Sequence, residues 1–63
     1  MSNEDAISKA LVAIDAALQD IIRAGDLYKS GKIDLAEANK LTLAGMELLR
    51  VRRQEYASAA RLN

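Results

Sequence analysis

The sequence predicts an all-α fold, an antiparallel hairpin of two long helices spanning about 4–29 and 35–61. Three observations lead there. Good helix formers dominate, with twelve alanines and nine leucines among 63 residues and no proline to interrupt them. Apolar residues recur at alternating spacings of four and three through the first half, the period of a helix face and not of a strand. One short segment, "YKSGKIDLAEA", concentrates the signals that end one helix and begin another.

The first helix opens at Asn3, a suitable N-cap, with Glu4 and Asp5 in the first turn where negative charge meets the positive end of the helix dipole. Ile7, Leu11, Ile14, Leu18, Ile21, Gly25 and Tyr28 then form a heptad seam, isoleucine at one core position and leucine at the other. Ala10, Ala17 and Ala24 repeat every seven residues on its flank. Small residues at that interval let a neighbouring helix approach closely. Gly31 suits the left-handed position just past a helix end. Asp34 follows as the second N-cap, and Glu37, three residues on, makes a capping-box-like pair with it.

The core face of the second helix reads Ala38, Leu41, Ala44/Gly45, Leu48, Val51/Arg52, Glu55/Tyr56, Ala59 and Leu62. A glycine inside a helix costs about 1 kcal/mol relative to alanine. Close helix approach at Gly45, facing Ala17 or Leu18, would offset it. The expected seam thus joins Ile7, Leu11, Ile14, Leu18, Ile21 and Tyr28 to Leu41, Gly45 and Leu48. Helices of about 26 residues, about 39 Å each, linked by a short turn make an antiparallel pair.

The chain is expected to be a single domain over 1–63, and it is small. Such a length buries only roughly 60% of its unfolded surface, so a core needs reinforcement. With no cysteine and no histidine, a disulfide is excluded and zinc has no credible ligand set. Self-association remains. Val12, Ile22, Leu27, Leu43, Met46 and Leu49 lie outside the mutual seam, and a homodimeric four-helix bundle is the simplest way to cover them, a higher oligomer the alternative. Charge is split between the halves: residues 1–29 carry five acids and three bases, residues 30–63 four acids and six bases. The antiparallel pairing is expected to lay Glu4 and Asp5 near Arg52, Arg53 and Glu55.

Two resemblances bear on function. The segment "GKIDLAEANKLTLAGMELLRVRRQEYA" resembles a pattern in small uncharacterised phage and prophage proteins through Gly31, Lys32, Ile33, Asp34, Ala38 and Glu55, over roughly the second half of the chain. It implies a mobile-element setting more than an activity. In length and hairpin form the chain also resembles the plasmid-encoded ROP proteins, dimers that bind RNA through their first helices. It departs from them in its first helix, where Asp15, Asp20 and Asp26 face only Lys9, Arg23 and Lys29 as bases.

Catalysis has little to stand on. Ser2, Ser8, Ser30, Thr42 and Ser58 have no partner base in a familiar arrangement, and no pair of acids occupies a position from which a shifted pKa follows. A non-enzyme without cofactor or metal is expected. The arginines of "RVRRQEY" project in different directions: Arg52 near the core face, Arg53 about 100° round, Arg50 on the outer side. Glu47 and Glu55 stand three residues from Arg50 and Arg52, within reach of local ion pairs. With net charge zero, binding to nucleic acid is not expected. Arg52, Arg53 and Tyr56 could still converge as a pocket for a small phosphate-bearing ligand, by stacking and charge-assisted hydrogen bonds. Tyr56 packing against Ile7 is the alternative use. Val12, Ile22, Leu43 and Met46 are candidates for the dimer core or, left uncovered, for binding a host protein. The expected function is therefore a small non-enzymatic regulator that self-associates and binds a host protein, with anion sequestration and ROP-like RNA binding as alternatives. No apolar run approaches the ~20 residues of a membrane span and the start "MSNED" is polar, so a cytoplasmic location is expected.

Overall fold

The computed structural model describes residues 3–61. Two α-helices, α1 (Asn3–Lys29) and α2 (Leu35–Arg61), lie side by side as an antiparallel hairpin. The expected capping by the Asn3 side chain and the place of Leu62 at the end of the second seam lie outside the described residues.

The turn forms as its residues dictate. Gly31 has φ +80°, the left-handed conformation that a Cβ disfavours. With it there, Gly31 N–H donates to the Tyr28 carbonyl (3.0 Å) and Lys32 N–H to the Leu27 carbonyl (2.9 Å), the paired bonds of a Schellman cap. The Ser30 hydroxyl adds a bond to the Leu27 carbonyl at 3.1 Å. Asp34 then opens α2: its Oδ1 accepts from Glu37 N–H at 2.9 Å, and its carbonyl from Ala38 N–H at 2.9 Å. Among the described hydrogen bonds only this half of the capping box is made; none returns from the Glu37 side chain to Asp34.

The line of contact between the helices is built from the smallest residues. Ala17 is 0% and Ala24 1% exposed, and Ala10, Ala38, Gly45 and Ala59 are the other buried residues described. All six repeat on heptad spacing, Ala10, Ala17 and Ala24 on α1 against Ala38, Gly45 and Ala59 on α2, with Arg52 filling the remaining heptad position. Ile7, Ile14 and Ile21 are half-buried shoulders beside this line, whereas Leu11, Leu18 and Tyr28 are 50%, 42% and 47% exposed. The contact is thus rotated by about 80° from the middle of the isoleucine–leucine seam that periodicity suggests. Alanine draws the axes together, and at close approach the larger side chains must splay to either side.

On α2 the half-buried shoulders are Thr42, Leu48, Leu49, Val51 and Tyr56; Leu41 remains 38% exposed. Gly45 faces Ile21, not Ala17 or Leu18: a Cβ built on it would stand 2.7 Å from Ile21 Cγ1. This crossing sets the register. One heptad further along α2, Arg52 falls level with Ile14 of α1, about three turns from Glu4 and Asp5. The expected pairing of those acids with Arg52 and Arg53 is therefore out of register.

The result is a plate one helix thick, with Cα extents of 45 × 15 × 11 Å. Two helices have no interior, and no large side chain among the described residues is fully buried.

Candidate functional site

The two broad faces of the plate differ. On one, the shoulders Ile7, Ile14, Ile21 and Leu49 are followed outward by Leu11 and Leu18 of α1 and Met46 of α2, then by Ile22 and Leu43 at the edges. Helical spacing places this second row on a single side of the hairpin, because in an antiparallel partner, viewed from the same end, residue numbers advance around the axis in the opposite direction. Ile22, Leu43 and Met46 are 53%, 64% and 53% exposed. The opposite broad face carries the smaller Ala6 and Ala13 with Leu27, Leu41, Leu48 and Val51, and is interrupted by Asp20 and Glu55. Val12, 68% exposed, stands apart from both on the back of α1, between Ser8, Lys9, Asp15 and Gln19.

Of the four residues considered for partner binding, Ile22, Leu43 and Met46 thus share one surface and Val12 does not. The seam residues Leu11 and Leu18 join that surface. Periodicity alone could not reveal this, since it marks an apolar arc of a helix without showing which part of the arc its own hairpin partner covers.

The arginine cluster is divided in a different way. Arg50 donates through Nε and an Nη to the two oxygens of Glu47, at 3.0 and 2.7 Å, a two-pronged pair within one helix face. That bond holds the exposed Glu47 carboxyl below the ordinary carboxylate range and raises Arg50, hydrogen bonding contributing more than the charge itself. Arg52 lies half-buried across the helix seam and donates to Glu55 at 2.9 and 3.2 Å. Both pairs are local, i to i+3, as the spacing anticipates.

Arg52 is drawn toward Glu55, on the side of α2 away from Tyr56, while Arg53 points outward beside Tyr56. The shallow groove at Arg53 is lined by Arg50, Arg53, Gln54 and Ala57, and includes neither Arg52 nor Tyr56. Arg52, Arg53 and Tyr56 therefore do not line one pocket in this conformation. Among the described residues there is no cluster of three acidic, histidine or cysteine side chains placed to hold a metal ion. No described helix is long and apolar enough to cross a membrane.

Compared with protein-family models, curated proteins and solved structures, the chain matches none.

Proposed function

We propose that this chain is a small non-enzymatic interaction protein that associates with itself and, as a phage- or mobile-element-type regulator, acts by binding a host protein. One observation carries the reading. Among the described residues the hairpin's own contact fully buries only alanine and glycine, while Leu11, Leu18, Ile22, Leu43 and Met46 stand 42–64% exposed on one face. Burying a leucine, isoleucine or methionine contributes about 1.5–3 kcal/mol, whereas an alanine methyl contributes under about 1. Most of the stabilisation available to this sequence is thus left on its surface, to be gained by association.

The division of surfaces supports the two parts of the proposal. The richer face suits a lasting contact with an identical hairpin. The opposite face, with Leu27, Leu41, Leu48 and Val51 between charged neighbours, is narrower and suits a second, exchangeable partner. The absence of histidine and cysteine from the chain, and the local pairing of two of its five arginines, support binding over catalysis as the chemistry of its groups.

Thermal unfolding by circular dichroism over a hundredfold range of protein concentration tests the self-association. The midpoint is expected to rise with concentration, because subunit binding stabilises the folded form by mass action. A midpoint independent of concentration would contradict the proposal.

A further inference from the structure

We propose that a second copy of this chain covers the Leu11–Leu18 face, packed face to face with both turns at the same end, so that α1 of each copy lies over α2 of the other. This rests on the self-association argued above and adds its geometry.

The argument comes from the two edges of the face. On α1 the edge runs Ser8, Asp15, Ile22, Lys29, one residue per heptad; on α2 it runs Ala36, Leu43, Arg50, Ala57. The Ile21–Gly45 crossing sets these rows at matching heights along the hairpin. Asp15 is level with Arg50, Ile22 with Leu43, Ser8 with Ala57 and Lys29 with Ala36, each to within about one residue, or 1.5 Å of rise. A two-fold axis parallel to the helices superposes the α1 edge of one copy on the α2 edge of the other without changing height. Acid then meets base, branched aliphatic meets branched aliphatic, and small meets small, while at the turn end Lys29 lies over Ala36, which leaves its ammonium room to reach solvent. Inside the edges, Leu18 comes over the partner's Met46. Arg53, one turn nearer the open end, adds a second positive charge beside each Asp15.

The alternative axis, perpendicular to the helices, lays α1 on α1 and α2 on α2. Centred on the apolar face, it sets Asp15 against Ile22 and Arg50 against Leu43, stripping water from two charges without a partner for either. Centred on Asp15, it brings like charges together. Slid toward the turns until Asp15 reaches Lys29, it leaves Ile7 and Leu11 uncovered at the open end. Only the parallel axis satisfies both edges and the whole face.

Two further observations fit. Arg50 gives two of its five N–H groups to Glu47, so donors remain for an acid across the interface. A face of 45 by 15 Å removes on the order of 1,300 Å² from two copies together when fully covered, within the size class of specific, stable interfaces.

The full chain with Lys32→Cys supplies a unique cysteine at the exposed turn, since the native sequence has none. A nitroxide there, read by pulsed electron paramagnetic resonance, reports where the two turns lie. With helix axes roughly 8–10 Å apart, turns at the same end give a separation of about 20–30 Å including the label arms. Turns at opposite ends give a separation near or beyond the 45 Å length of the hairpin. In parallel, Asp15→Lys and Arg50→Glu should each weaken the dimer about three- to tenfold, and the double variant should recover to within about threefold of the native affinity. A dimer with distant labels overturns the same-end arrangement and leaves self-association standing; a folded monomer overturns both. Weakening that adds in the double variant, with no recovery, overturns the Asp15–Arg50 contact.

Discussion

Two glycines show how one residue type takes opposite roles at different points of the same hairpin. Gly25 lies inside α1, in the same heptad row as Leu11 and Leu18, and within the single hairpin a Cβ there would meet nothing within 4 Å. Gly45 is buried, and a Cβ there would press on Ile21 Cγ1, a methylene bonded to the branched Cβ and so held close to the backbone. Gly25→Ala should therefore stabilise by about 1 kcal/mol through helix propensity. At Gly45 the same gain is opposed by about 1–3 kcal/mol of overpacking. Thermal melts should show Gly25→Ala raising the midpoint by about 4–8 °C and Gly45→Ala lowering it. A rise in both would mean that the helices are not in close contact at Ile21. The capping residues Gly31 and Asp34 were legible directly, because their chemistry is local: a left-handed backbone and a side-chain oxygen three residues from an N–H. The partners of Arg52 were legible only in part. Its pairing with Glu55 follows from spacing, whereas its distance from Glu4 and Asp5 depends on a register that no single residue announces.

At the scale of the helix, the start of α2 follows from sequence, Leu35 after the Asp34 cap. The seam was harder to place. A repeat of three and four marks an apolar arc, and in α1 that arc runs from Ala10 and Ala17 through Ile14 to Leu18, roughly 100° wide. Bulk favours the leucine side as core, but the closeness of a two-helix contact favours the alanine side, and in the hairpin alanine wins. Ala17→Leu offers a test of that choice. With the position fully buried, the larger side chain should wedge the helices apart and destabilise by about 1–3 kcal/mol, visible as a lower denaturant midpoint. If the leucine instead stabilised the protein, the seam would lie where the periodicity first suggests.

For the molecule as a whole, a plate of two helices can hide small residues in its midline and nothing larger, whatever its sequence. That physical limit is what makes self-association the expectation for 63 residues, half of them hydrophobic, with no cysteine or histidine. Periodicity did not point to one side. The proposed side emerged only when the Ile21–Gly45 crossing placed Leu11, Leu18, Ile22, Leu43 and Met46 on one face and aligned the charges along its edges. The proposed host partner is less legible still, because binding a foreign surface demands complementarity to a molecule that this chain does not encode. Sedimentation equilibrium of the native chain at micromolar concentration tests the central claim most directly. The account predicts a folded species of twice the 6.8 kDa chain mass, dissociating and losing helix together on dilution. A fully helical, cooperatively folded species of a single chain mass under those conditions would contradict it.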